Sequence, residues 1–322
     1  MNSKGDNTSY YKDKSFNSIP KKRSNNKKNL FIIIISILII IGTVLLLIKL
    51  TNKNNDNNTN IDPNQNLSNN DVKDDVEDPR YKELDYVNKK LSFFKDEYID
   101  RYINYKRENP QLDIEKVIVY VNIGLDREFY TDIADSPDMN TNTVLVNKYY
   151  YLGEDYVPEN LETINSKYSA GAKQMESDAR IAFEAMAKDA ATLGYTIRAV
   201  STYRSYSYQT QLYSNYAKSD GTEKADTYSA RAGHSEHQTG LAVDVDNAKV
   251  SYTSFGSTKE FDWMKENAYK YGFILRYTKE NEFITGYKDE PWHYRYVGVE
   301  IATYIQNNPM TYEEYYVRFL EK

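Results

Sequence analysis

The chain has 322 residues, enough for one large domain or two modest ones, and its 27% charged and 40% hydrophobic residues are typical of a soluble body with an adequate core. It contains no cysteine, which excludes disulfides and thiolate zinc sites. A formal net charge of −6 argues against a nucleic-acid partner, because phosphate binding needs a basic face.

The N-terminal part predicts a membrane anchor. Residues 1–29 are polar and basic, and the apolar run at 30–48 is long enough to span a bilayer core. The basic flank precedes this run, so the positive-inside rule places the tail in the cytoplasm. A cleaved signal peptide is the alternative, but residues 49–53 offer no cleavage site of small residues. We therefore predict a single-pass protein of the cell membrane whose remaining chain is extracellular.

Two regions without recognisable chemistry follow the apolar run. Residues 49–78 are rich in Asn and Asp and predict a disordered linker. Residues 79–164 predict a mostly helical extracellular leader, in which apolar residues recur at helical spacing up to residue 115. The stretch 117–121 fits either a strand or a buried helical turn, and a loop-rich segment beyond it has an extended piece at 144–146.

Residues 165–322 predict the catalytic domain. Apolar spacing, glycine stops and capping residues place its elements in chain order. We predict a helix at 169–193, a strand at 195–202, a helix at 208–216, a strand at 241–245, a helix from 257 or 258 to 271, strands at 273–277 and 292–296, and helices at 299–305 and 312–320. This order predicts an α+β fold, with helices packed around a small, mainly antiparallel sheet that has a zinc site in a cleft.

All three histidines of the chain, His234, His237 and His293, lie in two short segments. Histidine is the commonest metal ligand, so this clustering predicts a single metal site. His237, His293 and the carboxylate of Asp244 supply three ligands, the number that catalytic zinc keeps so that water can occupy the fourth position. Glu290 remains as a free carboxylate that can take a proton from water activated by the ion. We therefore predict one Zn²⁺ ion.

The two segments together form a motif with fixed spacings: Ser235-x-His237-x-x-Gly240-x-Ala242-x-Asp244 and Glu290-x-Trp292-His293. This motif resembles that of VanY-type D-alanyl-D-alanine carboxypeptidases, a zinc metallopeptidase group related to lysostaphin-like enzymes and hedgehog domains. The resemblance extends from about residue 168 to residue 299. It implies that His237, Asp244 and His293 hold zinc and that Glu290 is the catalytic base.

The same family pattern includes Arg204 and Gln209, and the resemblance implies that they bind substrate. Arg204 follows a predicted strand, where its guanidinium suits either a terminal carboxylate or the oxyanion that forms during attack on a peptide carbonyl. Both roles stay open at this stage. Ser235 is a further substrate-binding candidate, and its alternative is an ordinary turn or cap residue.

Four neighbouring residues have less specific predictions. His234 either hydrogen-bonds substrate or a ligand, or packs the loop as a structural residue. Glu236 and Asp246 are predicted to be solvated or to support the ligands. Trp292 is predicted to pack beneath His293 rather than to contact substrate.

The predicted function is a zinc-dependent D,D-carboxypeptidase that removes the C-terminal D-alanine from peptidoglycan stem peptides, as a monomer. The resemblance leaves three alternatives: an L,D-carboxypeptidase, a peptidoglycan endopeptidase, and a noncatalytic zinc-containing module that binds the cell wall. The free base at Glu290 and the guanidinium of Arg204 argue against the last, because a structural zinc site needs neither.

Overall fold

The computed structural model describes residue 84 and residues 90–321. Its α-helices are α1 Ile99–Glu108, α2 Ile114–Ile123, α3 Ser177–Thr192, α4 Tyr206–Asp220, α5 Thr222–Asp226, α6 Lys259–Asn267, α7 Glu282–Thr285, α8 Val299–Asn307 and α9 Tyr312–Tyr315. Its strands are β1 Ala134–Asp135, β2 Tyr150–Tyr151, β3 Leu161–Thr163, β4 Gln174–Glu176, β5 Arg198–Ser201, β6 Ala242–Asp246, β7 Phe273–Leu275 and β8 His293–Tyr296.

The predicted tail, transmembrane helix and linker, residues 1–78, lie outside the described residues. Within the part of the chain that is described, every helix is too short or too polar to cross a membrane.

Four strands form the central sheet, in the order β5-β6-β8-β7, and each neighbouring pair is antiparallel. The predicted mixed fold with a small antiparallel sheet is therefore confirmed. In this register Asp244 lies directly opposite His293, and on its other side it pairs with Ser201. Side chains of directly opposed residues lie on the same face of a sheet, so the strands bring Asp244 and His293 together despite their distance in sequence.

The opposite face of the sheet is packed with apolar side chains. Val243 and Val245 alternate with Asp244 along β6, and helix α3 covers this face with Phe183 and Met186. The ring of Phe183 meets that of Phe273 edge to face at 6.3 Å. One face of the sheet therefore forms the dry core, while the other is free to carry polar groups.

Helix α3 begins later than predicted. Residues 174–176 pair with β3 as a strand, and the helix starts only at Ser177. Glu176 caps it, because its carboxylate accepts hydrogen bonds from the backbone N–H groups of Asp178 and Ala179. The predicted helix at 169–193 was therefore wrong at its start, where a nonlocal strand pairing overrides the helical apolar spacing. Its end at Thr192, before Gly194 at φ +82°, is as predicted.

The leader is helical only in its first half. Residues 117–121 lie within α2, which resolves the open choice in favour of a helix. Beyond it, residues 144–146 are buried but belong to no strand, and β2 pairs with β1 instead. The prediction of a mostly helical leader thus holds for residues 96–123, among those described, but not for 124–164. Val144, Val146 and Leu152 pack in the same core cluster as the sheet.

Candidate metal centre and active site

His237 lies in a short 3-10 turn, Glu236–Thr239, that ends at Gly240 just before β6. Its Nδ1 is 2.7 Å from the backbone oxygen of Thr202. A carbonyl can only accept, so Nδ1 carries the proton and Nε2 keeps its lone pair. That Nε2 atom is buried and has no hydrogen-bond partner. Burial and the charge of Arg204 lower the pKa of His237 to about 4, so the ring is neutral and ready to bind a metal.

In His293 the two ring nitrogens have the opposite roles from those in His237. Its Nε2 is 3.2 Å from Glu236 Oε2, and its Nδ1 is 3.0 Å from Asp244 Oδ1. A carboxylate that accepts from the outer nitrogen of a histidine fixes the tautomer and directs the other nitrogen to the metal. Burial acts to lower the pKa of His293, but its hydrogen bonds to the two carboxylates raise it to about 9. His293 would therefore lose a proton if its Nδ1 held a metal ion.

These residues fit a zinc ion. One ligand atom from each of His237, Asp244 and His293 can be chosen so that all three lie within 4.8 Å of one another. His237 Nε2 is 3.3 Å from Asp244 Oδ2. Ligand atoms of a tetrahedral zinc site are separated by about 3.3 Å, given metal–ligand distances near 2.0–2.1 Å. The buried Nε2 without a partner is the observation that a bound ion explains.

Glu290 approaches this centre from the irregular segment between α7 and β8. Its Oε2 is 3.8 Å from His293 Nδ1, too far for a hydrogen bond. No side chain that the structure describes donates a hydrogen bond to its carboxylate, and burial raises the pKa of Glu290 to about 7. A poorly solvated carboxylate beside a metal site, unpaired with any arginine, has the environment of a general base.

Glu236 contacts the same histidine from the other side and is bound tightly. Its Oε1 accepts from Arg276 Nε at 2.8 Å and from Arg295 Nη1 at 3.1 Å. Burial by itself would raise the pKa of Glu236, but the two arginine charges outweigh it and hold the pKa well below its usual range. The prediction that Glu236 is solvated or supports a ligand is thus resolved in favour of support.

Arg204 lies against the metal ligand Asp244. Its Nη2 is 3.0 Å from Asp244 Oδ2, its Nη1 donates to Gln209 Oε1 at 3.0 Å, and its Nε donates to Ser201 Oγ at 3.0 Å. Gln209 is buried, and its amide nitrogen donates to the backbone oxygen of Ala230 at 2.7 Å. Gln209 is therefore fixed by the backbone and in turn fixes the orientation of the Arg204 guanidinium.

One cavity of about 360 Å³ joins the predicted site residues. Its walls include all three metal ligands together with Arg204, Ser235 and Glu290, whereas Gln209 is not among its lining residues. Trp292 packs against the main core cluster and also lines the cavity, where its ring meets Tyr252 edge to face at 5.3 Å, so its predicted position beneath His293 and away from substrate stays a prediction.

The remaining candidates lie away from the three predicted metal ligands. His234 Nδ1 donates to the backbone oxygen of Asn147 at 2.7 Å, and its ring contacts Tyr130 and Tyr151. This is the structural alternative for His234. Asp246 is buried and held bidentately by Arg198, at 2.9 and 2.8 Å, and among the described residues it makes no hydrogen bond to a metal ligand, so it fits neither predicted role, a solvated group or a support for the ligands.

Comparisons with known proteins identify the family. Residues 172–299 match the VanY family, described as D-alanyl-D-alanine carboxypeptidase. The Bacillus subtilis protein YodJ, whose name assigns it provisionally as a carboxypeptidase, is 39% identical over 206 residues, which cover 60% of this chain and 76% of that protein. A D-alanyl-D-alanine carboxypeptidase of Enterococcus faecium is 31% identical over 241 residues, which cover 66% of this chain and 74% of the relative.

The chain belongs to the VanY family of D-alanyl-D-alanine carboxypeptidases. Among solved structures, that of the LD-carboxypeptidase LdcB is similar, with 38% identity and a TM-score of 0.55 over 59% of this chain and 92% of LdcB. As a VanY-family member with an intact ligand set, the chain is a zinc metallo-carboxypeptidase.

The VanY motif does not include the groups that hold Glu236 in place. Arg276 follows β7 and binds Glu313 of α9 through two hydrogen bonds, at 3.0 and 2.6 Å. Arg295 is fully buried in β8. One signal could have found it: Arg295 lies two positions after His293 in a predicted strand, so both side chains are on one face. Nothing local in the sequence indicates Glu313.

Proposed function

We propose that the protein hydrolyses the terminal D-alanyl-D-alanine bond of peptidoglycan stem peptides and releases free D-alanine. The observation that carries this proposal is the position of the Glu290 carboxylate, 3.8 Å from the metal ligand His293 but outside the group of three ligand residues. Family membership supplies the substrate class, because the related enterococcal enzymes are D-alanyl-D-alanine carboxypeptidases.

The reaction adds water across one peptide bond. When bound, zinc polarises the scissile carbonyl and activates water for attack. Glu290 takes the proton from the attacking water and delivers it to the leaving nitrogen as the C–N bond breaks. The raised pKa of this buried carboxyl suits both steps, because an efficient proton carrier titrates near the working pH.

Arg204 is suited to stabilise the oxyanion. Its guanidinium donates to the carboxylate of Asp244, so it lies directly beside the metal position. Donors held in place where negative charge develops contribute to catalysis without further reorganisation. Of the two roles left open by the sequence, this contact favours the oxyanion over the terminal carboxylate.

The test uses two synthetic stem peptides and the purified protein. A pentapeptide that ends in D-alanyl-D-alanine should lose one D-alanine, and a chelator should abolish the release until zinc is restored. A tetrapeptide, whose last bond joins an L-centre to D-alanine, should remain intact. The D,D assignment is wrong if the tetrapeptide is the faster substrate by mass spectrometry.

The second candidate is an L,D-carboxypeptidase, and the similarity to LdcB favours it. The same two-peptide comparison decides between the candidates. A cross-linked muropeptide included in the panel tests the endopeptidase alternative, because an endopeptidase would separate the two stems without releasing D-alanine.

We further propose that residues 30–48 anchor the enzyme in the cell membrane, with the catalytic domain outside and residues 49–78 as a tether. The apolar run and the basic flank before it support this orientation. Protease added to intact cells should degrade residues 79–322 and leave the tail protected. A catalytic domain that resists protease in intact cells, but not in lysed cells, would contradict the orientation.

A further inference from the structure

The leader contributes a buried lysine to the neighbourhood of the active site. Lys148 is 2% exposed, and its Nζ donates to the backbone oxygen of Asp226 at 2.6 Å. No carboxylate that the structure describes lies within ion-pair distance of it. The ammonium instead faces three aromatic rings, with centroids at 4.1 Å for Tyr287, 4.7 Å for Tyr130 and 5.3 Å for Phe129.

The stem of Lys148 lies directly on Gly286, the residue that follows α7. A Cβ atom built on Gly286 would collide with Lys148 Cε, and the φ of +72° at this glycine also disfavours a side chain. Lys148 therefore contacts the start of segment 286–290 along its whole length, from the stem at Gly286 to the ammonium over Tyr287.

This segment carries Glu290 and has no regular secondary structure. Two backbone hydrogen bonds join it to distant parts of the chain, from Lys288 N to Thr227 O at 2.9 Å and from Glu290 N to Tyr277 O at 3.1 Å. Further hydrogen bonds tie the backbone of residues 286, 287 and 289 to α7. The buried ring of Tyr287 is the segment's side-chain anchor. The position of the catalytic carboxylate thus depends on how firmly Tyr287 is packed.

Tyr287 connects the lysine to the metal ligand. Its hydroxyl is 3.3 Å from that of Tyr130, and its ring lies 5.0 Å from the ring of Tyr277. Tyr277 in turn packs on His293, with ring centroids 4.9 Å apart. A continuous series of contacts, the last two of them between rings, therefore runs from Tyr130 in the leader to the metal ligand His293.

A buried ammonium without a carboxylate is unfavourable for folding. Burial lowers the pKa of Lys148 to about 8, and the charge of Arg231 lowers it further while that of Asp226 opposes the change. A costly charge beside the segment that carries the base indicates a role beyond packing.

We propose that Lys148 is a positioning residue, which holds the Glu290 segment in its productive place through a cation–π contact with Tyr287. This inference rests on the proposed function and extends it, because it gives the leader region a part in catalysis. Cation–π contacts strengthen when the cation is desolvated, as it is here.

The test is the substitution Lys148→Met, which keeps the stem and removes the charge. The expected result is a kcat about tenfold lower, because small displacements of a catalytic group lower the rate steeply. Zinc content should stay within about twofold of wild type, since Lys148 contacts none of the three metal ligands. The matched control is Lys265→Met, which removes a lysine 5.5 Å from the ring of Phe261, away from the cavity; its kcat should be unchanged.

Two further measurements keep the inference falsifiable. Amide hydrogen exchange in residues 286–292 should be faster in Lys148→Met, while that of β6 should be unchanged. In a Tyr287→Leu background, adding Lys148→Met should lower kcat by less than about twofold, because the route through Tyr287 is already broken.

An unchanged kcat with unchanged exchange in residues 286–292 would overturn the inference. A tenfold loss that persists in the Tyr287→Leu background would also overturn it, since Lys148 would then act by another route. The exchange experiment needs no substrate. A wild-type protein that releases no D-alanine would therefore contradict the proposed function alone.

Discussion

Two glutamates reach the metal ligand His293 from opposite sides, and their surroundings differ completely. Glu236 is enclosed by Arg276 and Arg295, which keep it ionised. Among the described residues, no arginine donates a hydrogen bond to Glu290, and burial raises its pKa to about 7. The same side chain, buried in both places, is thus a fixed anchor on one side and a proton carrier on the other. Neighbouring charges, rather than residue type or burial, make the difference.

The largest loss of activity is expected when the Glu290 carboxylate is removed. Glu290→Gln keeps the size of the side chain and removes its basicity, so kcat should fall by about 10² to 10⁴-fold. Its measurement is D-alanine release from the pentapeptide under saturating substrate. Turnover within a few fold of wild type would show that the two glutamates do not have the roles assigned to them.

The next largest effect is expected for Glu236→Gln, which should lower both the folding stability and the zinc affinity. Loss of the negative charge leaves Arg276 with Glu313 alone and Arg295 without a described carboxylate partner, and breaking a buried pair costs about 3–5 kcal/mol. The support of His293 is weakened at the same time, so zinc affinity should fall by about 10 to 100-fold. Chemical denaturation and zinc titration measure the two losses separately. Full zinc affinity with lower stability would show that Glu236 serves folding alone.

The smallest effect on the metal is expected for Glu313→Gln, the matched control. Glu313 binds Arg276 but not His293, so this variant should lose stability while zinc affinity and kcat stay close to wild type. Thermal unfolding and zinc titration of the same preparation provide the check. A loss of zinc affinity equal to that of Glu236→Gln would show that Glu236 does not support the metal site more directly than Glu313 does.

The metal ligands and the base were predicted from the sequence better than the groups that hold Glu236 in place. His237, Asp244, His293 and Glu290 share a motif with fixed spacings, and the alternation along β6 correctly indicated the strand that carries Asp244. The supporting groups come from separate elements and form no pattern in the chain. Their contacts arise from the antiparallel register and from the packing of α9, which are nonlocal.

The fold shows the same limit. The start of α6 was predicted well because a local signal marks it. The hydroxyl of Thr258 accepts a hydrogen bond from the backbone N–H of Phe261. The start of α3 was not predicted, because residues 174–176 pair with a strand that lies in the leader. The contact of Lys148 with Tyr287 likewise joins two distant parts of the chain.

The most direct test of the central claim is the zinc affinity of Glu290→Gln, measured by competition with a chromophoric chelator beside Asp244→Asn. If three residues hold the ion and Glu290 stands apart, Glu290→Gln binds one zinc with wild-type affinity, and Asp244→Asn binds it at least about 100-fold more weakly. Loss of zinc from Glu290→Gln would make this carboxylate a ligand and contradict its assignment as the base.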